Sequence, residues 1–104
     1  MSVLLNMAMF PTDYGESKSA HVAEVIKVIR ESGHTYQLTS MATTIETEKL
    51  SEALAIIQKC YDVLESLGCT RVYSTLTFDI REGHDNRLKT KIESIEKKIG
   101  EVSK

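Results

Sequence analysis

Apolar and polar positions divide the chain into blocks whose spacing predicts short strands and helices. The first block, Val3 to Phe10, is an apolar run that stops at Pro11, which is typical of a strand followed by a loop. Successive strand residues point to opposite faces, and here both sets are mainly apolar. The two sets are Val3, Leu5, Met7 and Met9 on one face and Leu4, Ala8 and Phe10 on the other. We therefore expect this strand to be covered on both sides.

Apolar residues three and four positions apart predict two helices. Ser17 or Ser19 is the expected N-cap of the first helix, and Gly33 its left-handed terminator. Thr47 is the expected cap of the second helix, which ends at Gly68. The first stripe comprises Val22, Val25, Ile26 and Ile29, and the second Leu50, Ala53, Leu54, Ile57, Tyr61 and Leu64. Both stripes are expected to pack on a sheet.

Three further segments have the composition or alternation of strands. Tyr36–Thr39 and Met41–Glu46 are short and rich in threonine and aliphatic residues, with a tight link near Ser40. Arg71–Arg81 alternates with period two. Its expected core face is Val72, Ser74, Leu76, Phe78 and Ile80, and its polar face is Tyr73, Thr75, Thr77, Asp79 and Arg81.

A last helix is predicted to open near Asp85, after a turn at 82–84. Its apolar residues are Leu88, Ile92, Ile95, Ile99 and Val102, at alternating steps of four and three. The resulting order, β-α-β-β-α-β-α, predicts an α+β fold. Residues 1–104 are expected to form a single domain, a ferredoxin-like βαββαβ two-layer sandwich with an additional C-terminal helix.

The sheet face opposite the two helices has a mixed character. It combines apolar groups of the first strand with the threonines and tyrosine of the fourth. Such a surface suits an interface between copies that contains a pocket. The alternative is that Leu4, Ala8 and Phe10 pack beneath the last helix, and the pattern alone leaves both open.

Charge and composition narrow the classes of partner. With 13 basic and 15 acidic residues the net charge is −2, which does not favour nucleic acid or anionic membranes. The N-terminus lacks the pattern of a secretory signal, and no apolar run is long enough to span a membrane, so we expect a cytoplasmic protein. Cys60 and Cys69 are expected to be free thiols that are buried or half-buried.

The residues that could carry chemistry do not form a recognised catalytic or metal motif. Two cysteines are too few for an iron–sulfur cluster, and the three histidines lack metal-ligand spacing. We therefore expect no metal or other cofactor and no catalysis. The basic segment Arg81–Lys91 could offer an anion site at the start of the last helix. The alternative is a solvated turn in which Asp85 is the N-cap and Arg81 pairs with an acid.

Several strings together resemble the thiamine-binding protein family of small ferredoxin-like proteins. They are Phe10-Pro11 leading to Gly15–Ser19, Val22-Ala23, Glu31–Gly33 with Tyr36–Thr39, Met41–Glu46, and Asp79–Arg81. The match runs through most of the chain. Two positions depart from the family pattern, Ala42 and Thr47, where the family often has glycine.

The resemblance implies a homo-oligomer, expected to be a tetramer, that binds thiamine or its hydroxymethyl-pyrimidine part. Flat walls and hydrogen-bonding groups would suit the pyrimidine, and a carboxylate would balance the thiazolium charge. The candidate walls are Phe10, Met41 and Tyr73, the candidate hydroxyls Ser17, Ser19, Thr43 and Thr75, and the candidate carboxylate Glu46. The alternative is that these residues only form strands, core and a helix start.

Three functions stay open at this level. The first is non-catalytic binding, as a carrier, buffer or sensor of the ligand. The second is a regulatory module that reports ligand occupancy through protein contacts, and the third is an enzyme acting on a heterocycle.

Overall fold

The computed structural model describes residues 1–13 and 18–104 and contains the predicted elements in the predicted order. The strands are β1 (Ser2–Pro11), β2 (Thr35–Leu38), β3 (Thr43–Thr47) and β4 (Val72–Arg81). The helices are α1 (Ser19–Glu31), α2 (Leu50–Ser66) and α3 (Arg87–Ile99). The predicted α+β fold of ferredoxin-like topology with an added C-terminal helix is confirmed.

The four strands form an antiparallel sheet in the order β2-β3-β1-β4. β1 lies inside the sheet, and its Leu5 is paired with Ile45 of β3 and Phe78 of β4. Because β1 is bonded on both sides, its apolar side chains fill the centre of both sheet faces. This position explains why its sequence reads as an apolar run.

The main core lies between one sheet face and the helices α1 and α2. Side chains of β1, β3 and both helices meet there, because their apolar positions follow periods of two and of three to four. The fully buried members include Val3, Leu5, Ile29, Ile45, Ala53, Cys60 and Leu64. This core holds α1 against the sheet through Val25 and Ile29, in the middle and towards the end of the helix.

The opposite sheet face is covered at one end by α3, which contacts β1 and β3. Leu4 is buried on that face, whereas Ala8 and Phe10 are half-buried. The helix ends at Ile99, before Val102, and Gly100 follows it with a φ of 89°. The expected stripe is therefore shorter than predicted, and its Ile95 and Ile99 are exposed.

The start of α1 differs from the prediction. Ser19 is the first helical residue, and Lys18 is the N-cap, without a side-chain hydrogen bond to the helix. The alternative cap, Ser17, lies outside the described residues. At the other end, Gly33 adopts a φ of 80°, as a left-handed terminator requires.

The link between β2 and β3 is longer than the predicted single residue. The Thr39 hydroxyl accepts hydrogen bonds from the N–H groups of Met41 and Ala42, and it donates to the Ala42 carbonyl. These local bonds compete with strand pairing and keep Met41 in a turn. Thr47, the predicted cap of α2, is instead the last residue of β3, and Lys49 is the N-cap.

The buried faces of α2 and β4 also differ from the prediction. In α2, Ala53 and Leu64 are in the core with Ile56 and Cys60, while Leu50, Leu54 and Tyr61 are exposed. In β4, Leu76 and Ile80 are exposed although they face the helix side. The reason is that β4 is an edge strand, and the helices lie over the strands inside the sheet.

Within the described parts of the chain, the helices are too short or too polar to traverse a lipid bilayer.

Candidate functional site

A cavity of about 300 Å³ opens where β1 ends, between the start of α1 and the 39–42 turn. Its floor is the end of β1 from Met7 to Phe10, and one wall is the apolar side of α1. The remaining wall is the segment 38–43, which includes the turn. The volume lies at the lower end of the range for small-molecule sites.

Three of the residues expected to bind a ligand, Phe10, Met41 and Thr43, line this cavity. Thr43 is 3% exposed and faces the helix side of β3, opposite Met7 of β1. Met41 is 85% exposed because the turn carries it to the rim. The cavity therefore has an exposed methionine at its rim and a buried threonine at its base.

Phe10 connects the cavity with the open face of the sheet. Its ring centroid lies 5.6 Å from that of Tyr73, its partner in the β1–β4 register. The Lys18 ammonium lies 5.2 Å from the Phe10 ring centroid, a distance that allows a cation–π contact. Tyr73 and Thr75 lie beside Phe10 and Ala8 on the open face, and neither is among the described residues that line the cavity.

The other expected ligand residues have separate positions. Ser19 is exposed at the start of α1 and is not among the described lining residues, whereas its neighbour Lys18 is. Ser17 lies outside the described residues. The sequence prediction missed Lys18, although it lies inside the Gly15–Ser19 string that carries part of the family resemblance.

Glu46 lies on the sheet face opposite Thr43, so one ligand in the cavity cannot contact both within one protomer. Its carboxylate accepts hydrogen bonds from Ser2 Oγ and from the N–H groups of Arg87 (2.8 Å) and Leu88 (3.1 Å). Burial alone would raise the pKa of Glu46, but these hydrogen bonds and the Arg87 charge together lower it. The charged form of Glu46 is therefore stabilised by α3.

Two alternatives were expected at the start of the last helix, a site for an external anion or a solvated turn capped by Asp85, and the structure shows neither. The helix begins at Arg87, after Asn86 with a left-handed φ of 55°, so Asp85 is not its N-cap. The anion that meets its first N–H groups is the chain's own Glu46. A carboxylate from β3 thus occupies the position proposed for a phosphate.

Arg87 is 4% exposed, and its charge is satisfied by several partners. Its Nε donates to Ser2 Oγ (3.0 Å), and Nη2 donates to the carbonyls of Ser2 (2.9 Å) and Asp79. Its Nη1 lies 2.9 Å from Asp79 Oδ2. We call Ser2, Glu46, Asp79 and Arg87 the α3 anchor, because they join this helix to three strands. The sequence pattern gave no sign of it, since Arg87 stands among other basic residues of a polar segment.

The two thiols are free, as predicted, and both are buried, the first of the two expected alternatives. Burial raises the pKa of the Cys60 thiol to about 11, and burial together with the charge of Asp13 raises that of Cys69. Both are therefore protonated at neutral pH and are poor nucleophiles. Within residues 1–13 and 18–104, no three acidic, histidine or cysteine side chains cluster in a way that could hold a metal ion.

Comparison with known proteins adds a family and a set of related folds. The model of a family described as thiamine-binding protein matches residues 5–96. A UPF0045 protein of Methanothermobacter thermautotrophicus is 31% identical over 83 residues, which cover 80% of this chain and 84% of the relative. The UPF0045 protein YqgV of Bacillus subtilis is 38% identical over 87 residues, covering 80% and 83%.

Solved structures agree with the fold. A hypothetical protein of Methanocaldococcus jannascii has a TM-score of 0.78 at 26% identity, with 90% of this chain and 95% of the other covered. A Thermotoga maritima protein, provisionally assigned to thiamine biosynthesis or salvage, has a TM-score of 0.79 at 18% identity, covering 91% and 99%. At that identity the second likeness supports the fold alone.

Proposed function

The chain belongs to the thiamine-binding protein family, and we propose that it binds thiamine or its hydroxymethyl-pyrimidine part without catalysing a reaction. The observation that carries this proposal is the cavity lined by Phe10, Met41 and Thr43, because these residues belong to the strings that resemble the family. In this role the protein is a carrier, buffer or sensor of its ligand.

The lining suits an aminopyrimidine. Phe10 and Met41 offer apolar surface to a flat ring, and the Thr43 hydroxyl can donate or accept a hydrogen bond. Lys18 brings a positive charge to the same cavity. Since like charges repel, we expect the neutral pyrimidine to enter the cavity and the cationic thiazolium of thiamine to stay outside it.

The cavity chemistry favours binding over catalysis. Apart from Lys18, every described lining residue is apolar or carries a hydroxyl group. A general acid–base step needs a titratable group within hydrogen-bond reach of the substrate. These side chains are better suited to orienting a ligand than to moving its protons.

We place this site in a homo-oligomer, with a tetramer as the expected state. Two separate apolar surfaces support this part of the proposal. One contains Leu76 and Ile80 of β4, which are 42% and 46% exposed, and the other contains Ile95 and Ile99 of α3. A tetramer with dihedral symmetry has two kinds of interface and could cover both surfaces.

The test is an equilibrium titration with thiamine, hydroxymethyl-pyrimidine and thiamine phosphates. We expect Thr43→Val to weaken binding of the preferred ligand about five- to hundred-fold, because a buried hydrogen-bond partner is worth about 1–3 kcal/mol. The matched control is Thr44→Val, since Thr44 lies on the opposite sheet face, where its hydroxyl donates to Asn6 Oδ1.

Equal affinity of both variants and the parent would exclude this cavity as the site. If the parent binds none of these ligands at millimolar concentration, the proposed function is wrong. Consumption of the ligand during the titration would favour the enzyme instead.

A further inference from the structure

The ligand cavity contains one charged side chain among its described lining residues, that of Lys18. This residue is half-buried and is the N-cap of α1, the helix whose apolar side forms one wall of the cavity. The other described lining residues are apolar or carry a hydroxyl group. The cavity is therefore a mainly apolar space with a positive charge beside the start of α1.

No described carboxylate neutralises this charge. The ion pairs among residues 1–13 and 18–104 all involve other basic groups, and the described lining of the cavity contains no acidic residue. The first turn of α1 also lacks an acidic residue, and the start of a helix carries a partial positive charge of its own. An anionic group on a ligand would therefore be attracted to this side of the cavity.

The position of Lys18 differs from that of a solvated surface lysine. Its ammonium lies 5.2 Å from the ring centroid of Phe10, an aromatic residue that lines the same cavity. A lysine directed at a small-molecule cavity can contact the ligand, whereas a fully solvated lysine contacts only water. Lys27, on the same helix, is exposed and is not among the described lining residues.

Phe10 and Lys18 are close enough to contact one small ligand together. The centroids of stacked aromatic rings lie about 4.5–7 Å apart, which is similar to the separation of the Lys18 ammonium from the Phe10 ring. The four-carbon stem of lysine is flexible, so the ammonium can move from the Phe10 ring to an anion nearby. A substituent on a ring that stacks against Phe10 would therefore be within reach of the ammonium.

We propose that Lys18 determines ligand specificity, so that the cavity selects the phosphate monoester of the hydroxymethyl-pyrimidine over the free alcohol and over thiamine. The inference rests on the proposed function and names the form of its ligand. The hydroxymethyl group can carry a phosphate, and a phosphate monoester has a charge of about −1.5 to −2 at neutral pH. In thiamine the same carbon is joined to the cationic thiazolium, which Lys18 repels.

The first test is an equilibrium titration of the parent at low ionic strength, where charge interactions are least screened. The ligands are hydroxymethyl-pyrimidine, its phosphate ester, thiamine and inorganic phosphate. We expect the ester to bind about tenfold more tightly than the alcohol, because a hydrogen bond between charged groups is worth at least that factor. Inorganic phosphate should bind far more weakly than the ester, since it has no ring to pack against Phe10.

Two results of this titration would overturn the proposal. Equal affinity for the ester and the alcohol would mean that Lys18 does not contact the phosphate. Inorganic phosphate that binds as tightly as the ester would mean that the charge attracts any anion and does not select a pyrimidine.

The second test is Lys18→Met, which removes the charge but keeps a long, unbranched apolar side chain. The affinity for the ester should fall about tenfold, to that of the alcohol, while the affinity for thiamine should stay the same or rise. Lys18→Arg keeps the positive charge and should retain the preference for the ester. A merely structural role of Lys18 would instead lower the affinities for all three pyrimidine ligands together, and that result would contradict the proposal.

Lys27→Met is the matched control on the same helix. Because Lys27 is exposed and lies outside the described lining, this variant should bind every ligand like the parent. A loss of preference for the ester in Lys27→Met as large as that in Lys18→Met would mean that the overall charge of the protein is responsible, and it would reject the role of Lys18.

The same titrations separate this inference from the proposed function. Binding of the alcohol or of thiamine without a preference for the ester would support the function and reject the role of Lys18. Selective, Lys18-dependent binding of the ester followed by release of inorganic phosphate would support the role of Lys18 and reject a non-catalytic function. Failure of every pyrimidine ligand to bind at millimolar concentration would reject both.

Discussion

At the scale of single residues, two residues of β3 show that the sheet face on which a side chain lies determines what it contacts. Thr43 points to the helix side and lines the cavity, whereas Glu46 points to the other side and holds the start of α3. Both residues belong to one short string of the family resemblance. Their different partners mean that substitutions three positions apart should affect different properties.

We expect Glu46→Gln to lower the free energy of unfolding by about 1–3 kcal/mol at neutral pH, since it removes a charged acceptor from α3 and a countercharge from Arg87. The folded-state pKa of Glu46 lies below its ordinary value of 4.5. Its contribution is therefore present above that pH and is lost as the pH falls through the folded-state pKa.

Urea unfolding of the parent and the variant over a series of pH values measures this contribution. The difference between them should shrink as the solution is acidified below pH 4.5. The exposed neighbour Glu48 provides the control substitution, Glu48→Gln, which should change little. A difference that does not depend on pH would show that the Glu46 charge is not what stabilises the fold.

The sequence pattern predicted some of the residues that line the cavity, but it did not predict the residues that hold α3. Phe10, Met41 and Thr43 were predicted to share a site, and the structure brings them together. Arg87 was missed because local pattern shows polarity, while its burial depends on partners up to 85 residues away. The role of Glu46 depends on where α3 packs across the sheet, which the local pattern of β3 does not show.

At the scale of elements, the existence and order of helices and strands could be predicted, but their buried faces could not in every case. The apolar stripe of α2 was predicted through Leu54 and Tyr61, yet the core takes Ile56 and Cys60. This helix has apolar residues around much of its surface, so its pattern allows more than one orientation. Which one is adopted depends on how the helix layer lies across the sheet.

Two isoleucine-to-alanine substitutions distinguish buried from exposed helical stripes. Ile29 of α1 is fully buried, so Ile29→Ala should lower the free energy of unfolding by about 2–5 kcal/mol. Ile95 of α3 is 51% exposed, so Ile95→Ala should cost less than about 1 kcal/mol in the monomer. Thermal unfolding at low protein concentration measures both.

The cost of Ile95→Ala also tests whether the exposed stripe of α3 is covered in the oligomer. If another copy covers Ile95 in the oligomer, the cost of Ile95→Ala should grow with protein concentration. A cost above about 2 kcal/mol in dilute, monomeric samples would mean that Ile95 packs within its own chain.

At the scale of the whole molecule, a single sheet with one main helical layer leaves apolar side chains exposed on both β4 and α3. We expect light scattering at micromolar concentration to give a native mass near four times the chain mass of 11.7 kDa. Dimers should appear first on dilution, because the two kinds of interface need not be equally strong. A monomeric mass at all concentrations would refute the tetramer.

The α3 anchor also has a consequence for the order in which the chain folds. Arg87 bonds to Ser2 across 85 residues of sequence, so this contact closes nearly the whole chain. Closing a long loop is entropically costly until the sheet between its ends exists, so the anchor should form after the rate-limiting step. Arg87→Met should then speed unfolding and leave the refolding rate almost unchanged in stopped-flow experiments. Slower refolding of this variant would mean that the two ends of the chain meet early.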